Sequence, residues 1–198
     1  MDKLAFRHLA DSTKADHDIL QPYLEEENRH TADRVLEMFA ALKDKDCGPL
    51  PVDMFEHGLQ TATLALQDGE DEETIVCALL HDLGHFVAPM NHGRFIAELL
   101  QPFISDENYW ILQHHTIFQA YYYLHHLGKD RNARDKYKDH PYYDRAVRFV
   151  ERWDQKAFDA TFKPEPIETF APMVRRVLGG MPHERTSGVS RLSAAVVE

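Results

Sequence analysis

Ile75-Val76-Cys77-Ala78-Leu79-Leu80-His81-Asp82-Leu83-Gly84-His85 sets an imidazole and a carboxylate directly after six apolar residues. Asp71, a residue type that caps helix starts, precedes the run, and Gly84 follows it. The spacing therefore predicts a helix that opens at Asp71 and ends at Gly84. A segment apolar on nearly every side belongs at the centre of a core. A carboxylate at the end of such a helix is costly unless a partner meets it. The stretch thus predicts the most buried helix of the fold and a polar site at its C-terminal end.

The flanking sequence continues the helical pattern. Val35, Leu36, Phe39, Ala40 and Leu42 form an apolar face in a helix over about 31–43. Gly48, Pro49 and Pro51 then break the chain. Asp53 caps a helix that runs to about Gln67, with Glu56 completing a capping-box-like pair. Further helices are expected around 93–100, from Ser105 through Leu127 with Gly128 closing it, over 144–157 and over 168–178. Residues 129–140 are highly charged and are expected to form an exposed loop or a frayed helix. No β-hairpin signal, internal repeat or second domain is present. The expectation is an all-α fold: a helical bundle over 46–178, a helical extension over 1–45 packed on it, and a tail over 179–198.

The chain has 198 residues, the size of a single domain, with 33 acidic against 22 basic side chains and a formal charge of −11. That balance offers no basic face for a phosphate backbone, so nucleic acid is not an expected partner. No run approaches the length of apolar sequence needed to span a membrane. Cys47 and Cys77 make neither a disulfide framework nor a C-x-x-C knuckle, which points to a reducing cytoplasm. The unusual count is 13 histidines.

His81-Asp82 is the centre of a wider set. His57, His92, His114 or His115, and Asp154 lie at helix-separated positions and offer imidazole and carboxylate without thiolate. Such donors suit iron, manganese or zinc and disfavour a structural zinc site. Adjacent helical residues point about 100° apart, so His81 and Asp82 do not naturally chelate one ion together. A carboxylate bridging two ions, one oxygen to each, makes use of that divergence. Each member alone has a plainer reading, His57 as a packed imidazole and Asp154 as a surface charge beside Trp153; the joint pattern carries the inference. His8, His17, His30, His140 and His183 stand in polar contexts and are expected to be solvated.

The sequence resembles the HD-domain superfamily over about residues 50–178. Phe55-Glu56-His57-Gly58-Leu59-Gln60 is similar to its first histidine helix, Ala78 to His85 to its His-Asp signature, and Arg152-Trp153-Asp154 to its closing aspartate. Within the superfamily the likeness is to the mixed-valence diiron oxygenases, the group that includes phosphonate-cleaving enzymes and myo-inositol oxygenase. The resemblance implies two iron ions, Fe(II) and Fe(III). His57, His81, Asp82 and Asp154 would hold one, and Asp82, His92 and His115 the other. His85 would be the catalytic contact to the substrate's anionic group. The implied reaction takes a small anionic substrate and O2. It breaks the C–P bond of a 1-hydroxy-2-(trimethylamino)ethylphosphonate-like compound, giving a carboxylate and phosphate.

Two departures mark this chain. The phosphonate oxygenase carries a Tyr-x-x-Glu pair shortly before the first histidine, where this chain reads Cys47-Gly48-Pro49-Leu50; a Tyr23-x-x-Glu26 spacing occurs only far upstream. A lysine four residues after the last histidine is replaced by Gln119. Substrate contact is therefore expected from His85 and Gln119, with Lys129 or Arg131 as the anion-holding cation. The aromatic run from Phe118 to Tyr123 could wall a cavity suited to a quaternary ammonium group. The alternative is a metal-dependent phosphohydrolase acting on a small phosphate ester or nucleotide, in which the same ions activate water. A degenerate binding module would have lost ligands, and all six positions are filled.

Overall fold

The computed structural model describes residues 3–45 and 48–179. Among these the chain is all-α, built from α1 (Lys14–Arg29), α2 (Thr31–Ala40), α3 (Met54–Gln67), α4 (Glu72–Leu80), α5 (His92–Leu100), α6 (Asp106–Gln119), α7 (Tyr143–Arg152) and α8 (Ile167–Leu178), with short 3-10 turns between them. No described helix is long and apolar enough to cross a membrane. Cys47 and the tail over 180–198, including His183, lie outside the described residues.

The helix starts follow local chemistry. Asp53 accepts from the Glu56 amide at 2.7 Å, Asp71 from Thr74 at 2.8 Å, and Ser105 from Asn108 at 3.2 Å. Each satisfies an amide that the first helical turn leaves unpaired. Only half of the expected box forms at α3, because the Glu56 carboxylate instead faces Gln60, whose amide donates to it at 3.4 Å.

Helix α4 is buried from Thr74 to Leu80 and forms the middle of the molecule. It packs against α3 on one side and α8 on another, while α5 and α6 form a second pair and α7 closes against α6. Gly58 allows the α3–α4 contact: a Cβ there would stand 2.5 Å from the Leu79 carbonyl oxygen. The core between these layers holds Phe39, Phe118, Phe149, Trp153 and Phe170. In the N-terminal stretch α2 buries Ala32, Val35 and Phe39, and α1 buries nothing.

Two helices are shorter than periodicity predicts. Helix α6 stops at Gln119 rather than Leu127, and the chain continues as 3-10 turns over Ala120–Tyr122 and Leu124–Leu127 before Gly128 closes them in a left-handed conformation. The tightening turns successive tyrosines to different neighbours: Tyr122 and Tyr123 line a cavity, and Tyr121 packs under Arg131 and Arg134. Helix α7 likewise ends at Arg152, because Trp153 leaves helical geometry (φ −123°, ψ −71°).

The anchor of that second break is Asp68. Its carboxylate accepts from Arg152 at 2.6 Å and from the Trp153 indole at 2.8 Å, tying the α3–α4 corner to the end of α7. These bonds, Arg152 first, hold its pKa down to about 2. A lowered carboxylate stabilises the fold above its ordinary pKa, and that contribution is lost as pH falls toward the lowered value. Asp68→Asn is expected to cost about 1–2 kcal/mol at neutral pH. In thermal melts the gap between wild type and variant should stay constant from about pH 7 to 5 and close as pH falls from about 4 toward 2. A gap that persists at the acid end would show that the charge is not what Asp68 contributes.

Candidate metal centre

Seven side chains from six parts of the fold converge beneath the end of α4. Helix α3 supplies His57, and the residues ending α4 supply His81 and Asp82. The following turn supplies His85, α5 begins with His92, α6 supplies His115, and Asp154 follows the break after α7. His57, His81, Asp82, His115 and Asp154 are buried, while His85 and His92 are half-buried. Five polar residues at the centre of an apolar core need compensation from one another or from a ligand.

The histidine orientation is set by backbone carbonyls. The Nδ1 atoms of His57, His81, His92 and His115 each lie 2.8 Å from a carbonyl oxygen, of Ala157, Ala78, Pro89 and Leu112 respectively. A carbonyl only accepts, so each Nδ1 carries the proton and donates it. Each Nε2 faces the cluster and, in the neutral ring, presents its lone pair there, the arrangement by which metal-binding histidines are held in one tautomer.

Asp82 stands between two sets of these nitrogens. Its Oδ2 lies 3.4 Å from His57 Nε2 and 3.5 Å from His81 Nε2. Its Oδ1 lies 3.2 Å from both His92 Nε2 and His115 Nε2, and 3.8 Å from His85 Nε2. Asp154 Oδ1 completes the first set, 3.4 Å from His57 Nε2 and 3.7 Å from His81 Nε2.

The donors fit a cation. His57 Nε2 and His81 Nε2 are 3.1 Å apart, a separation that needs a proton or a cation shared between them. Two nitrogens bound at about 2.1 Å to one ion at about 90° stand roughly 3 Å apart, so the contact has the dimension of a coordination edge. Asp154 Oδ2 is buried without a hydrogen-bond partner. Three groups, His57–His81–Asp154, His81–Asp82–His115 and Asp82–His85–His92, each bring three ligand atoms within 4.8 Å of one another.

Proton affinities report the same demand for positive charge. Burial opposes a charge on His81, yet Asp82 and Asp154 overcome it and hold its pKa at about 9. Burial likewise opposes charge on Asp82 and Asp154, and the surrounding imidazoles keep both carboxylates well below their usual range. Without a metal the cluster attracts a proton, which an incoming cation displaces. His85 differs: burial is the largest influence on it and lowers its pKa, so its ring, stacked 3.9 Å from that of His92, is neutral.

A cavity of about 940 Å³ opens onto this cluster at Asp82 and His85, and its wall includes Phe86, Tyr122, Tyr123 and Phe158. Gln119 also lines it, but its amide donates to Asp154 Oδ1 at 2.7 Å and so steadies a cluster carboxylate. Lys129 and Arg131 are not on the cavity wall; the Arg131 guanidinium lies 4.0 Å over the Tyr121 ring instead. The cation lining this cavity is Lys45, whose position depends on the path of the chain before α3 and carries no signal in the sequence pattern. His114 is outside the cluster, stacked on Trp110, and His115 is inside it. Tyr23 is exposed on α1, and Glu26 is paired with Arg29 and His30.

A family model for the HD domain matches residues 54–159, and the chain belongs to that family. The matched span runs from the start of α3 to beyond Asp154 and contains all seven converging side chains. The chain is also similar to the [1-hydroxy-2-(trimethylamino)ethyl]phosphonate dioxygenase (glycine-betaine-forming) of Leisingera caerulea, with 38% identity over 82 residues. That match covers 36% of this chain and 42% of the relative, so the chain spans less than half the length of the relative it matches.

Proposed function

We propose that the chain is a diiron oxygenase that cleaves the C–P bond of a small 1-hydroxyphosphonate bearing a quaternary ammonium group. The observation that carries the reading is the two-sided presentation of Asp82, with one oxygen toward His57 and His81 and the other toward His92 and His115. The named activity of the phosphonate dioxygenase relative supports the substrate class. His57, His81, Asp82 and Asp154 hold one ion, and Asp82, His92 and His115 the other. Held there as a mixed-valence pair, iron would supply dioxygen activation, with O2 as the oxidant of the hydroxyl-bearing carbon. The reaction balances as hydroxyphosphonate plus O2 to carboxylate, hydrogen phosphate and a proton.

The chain's own residues select and place the substrate. Lys45 holds the phosphonate charge at the cavity wall, replacing the lysine that Gln119 has displaced. His85, neutral and facing the cavity, hydrogen-bonds the anionic or hydroxyl oxygen. Tyr122, Tyr123, Phe86 and Phe158 offer aromatic faces to the trimethylammonium end.

The test is oxygen uptake by the iron-loaded chain with [1-hydroxy-2-(trimethylamino)ethyl]phosphonate. Equal amounts of O2 consumed and phosphate released are expected. Phosphate released from esters with no O2 consumed would overturn the reading in favour of a phosphohydrolase. Lys45→Met is expected to raise KM about tenfold with kcat little changed, since it removes a binding charge rather than a cluster residue. His85→Ala is expected to keep the metal content and lose substrate affinity.

A further inference from the structure

Gln60, one turn after His57 on α3, is buried, yet it neither lines the cavity nor belongs to the cluster. A buried carboxamide needs partners for its donors and its acceptor. It finds them on the backbone of a residue 99 positions away. Its Nε2 donates to the Asp159 carbonyl at 2.9 Å, and its Oε1 accepts from the Asp159 amide at 3.2 Å. The Glu56 carboxylate accepts from the same Nε2 at 3.4 Å and fixes the orientation of the amide. The side chain thus pairs with Asp159 as a neighbouring strand would, through both backbone groups at once.

Asp159 lies in the irregular segment over 157–166, which leads into α8. With no helix of its own, the segment takes its path from the partners that α3 offers. Three residues of α3 hold it in order: His57 through the Ala157 carbonyl, Gln60 through Asp159, and the Thr63 hydroxyl, which accepts from the Glu165 amide at 2.9 Å. The other bonds to Asp159, from Thr161 and Phe162, are internal to the segment and do not tie it to α3.

The residues just before Asp159 govern His57. The Ala157 carbonyl accepts from His57 Nδ1 at 2.8 Å, and the Phe158 ring stacks on the imidazole with centroids 4.4 Å apart and planes 27° apart. Together they fix the rotation of the imidazole about its Cβ–Cγ bond, and that rotation decides where Nε2 stands. A carbonyl only accepts, so this bond holds in either charge state of the ring.

We propose that Gln60 is a positioning residue of the metal centre: by pairing with Asp159 it holds Ala157 and Phe158 against His57, and so fixes one ligand of the ion held by His57, His81, Asp82 and Asp154. The inference rests on the metal-centre reading of the cluster and is independent of the reaction. Its effect falls on one ion, because His92 and His115 are set by the Pro89 and Leu112 carbonyls, which belong to other elements.

Mn(II), which nitrogen and oxygen donors of this kind accept, is titrated into the metal-free chain, and the free ion is counted by its EPR signal. In a His92→Ala chain only the first position keeps its full donor set, so its constant is read there. Adding Gln60→Met, a change close in volume, should weaken that constant about tenfold. With His92 intact, only one of the two constants should move. Thr63→Val is the control for a merely structural role. It removes an anchor from the far end of the same segment, so it should lower the melting temperature comparably while leaving both constants within about twofold. Gln60→Asn keeps the carboxamide one methylene short of Asp159; it should weaken the first ion as Gln60→Met does, and it serves if that variant does not fold. A first constant unchanged in a folded Gln60 variant overturns the role. Equal weakening of both ions overturns it too, as does a Thr63→Val effect as large as that of Gln60→Met. A wild-type chain that binds no Mn(II) overturns the metal-centre reading and the inference with it, a result distinct from the other three.

Discussion

Asp82→Ala is expected to purify without either ion, its affinity for iron or manganese lowered by more than about 100-fold at both positions. A ligand that served one ion would leave the other bound. Asp82 is placed differently, because its two oxygens face separate groups of nitrogens, Oδ2 toward His57 and His81 and Oδ1 toward His92 and His115. Removing it takes a ligand from each group and also the negative charge that offsets two cations in an apolar core. The metal-free variant should change as well. His81 keeps its high proton affinity through Asp82 and Asp154, and with Asp82 gone burial should draw it down. Elemental analysis per chain, with a thermal melt to confirm folding, makes the measurement. Two ions retained in a folded Asp82→Ala would mean that the carboxylate does not bridge.

Helix starts were legible because capping is local: Asp53, Asp71 and Ser105 each bond an amide three residues on, and nothing distant is needed to form that contact. The converging set was legible for a related reason. Carboxylate and imidazole after six apolar residues violate core composition, and only a shared ligand or mutual pairing resolves the violation. Choices set by distant contacts were not legible. The end of α6 at Gln119 follows from where each tyrosine finds its neighbours, and a continuous pattern to Leu127 gives no warning of it. Helix α1 lacks a buried face, so periodicity misses it although Thr13 and Asp16 form a full capping box at its start. Gln119 lines the cavity, yet its amide serves Asp154, a partner 35 residues away. Lys45 against Arg131 is the clearest case: both are single charges in polar segments, and only the folded path puts the first on the cavity wall.

Gly84→Ala separates the two halves of the cluster. A Cβ at this position would stand 2.5 Å from the His92 Cα, 2.6 Å from its carbonyl oxygen and 2.8 Å from its Cβ. Backbone atoms cannot swing aside as a side-chain tip can, so the turn over Leu83–Phe86 and the start of α5 must move apart. Overpacking of this kind costs about 1–3 kcal/mol, a loss of roughly 3–10 °C in a chain of this size. The displacement falls on one side of Asp82 only. His92 moves with α5, and the Asp82 Oδ1 contact at 3.2 Å opens. His57 on α3 and Asp154 after α7 belong to other elements, and His81 precedes the turn, bonded through Nδ1 to Ala78 within its own helix. The variant is therefore expected to keep one ion per chain, held by His57, His81, Asp82 and Asp154, and to bind the second at least about tenfold more weakly. Stepwise metal titration of the apo chain reads both affinities in one experiment. Equal weakening of the two ions would mean that the halves are not independent, and wild-type affinity for both would mean that His92 does not need the close approach that Gly84 permits.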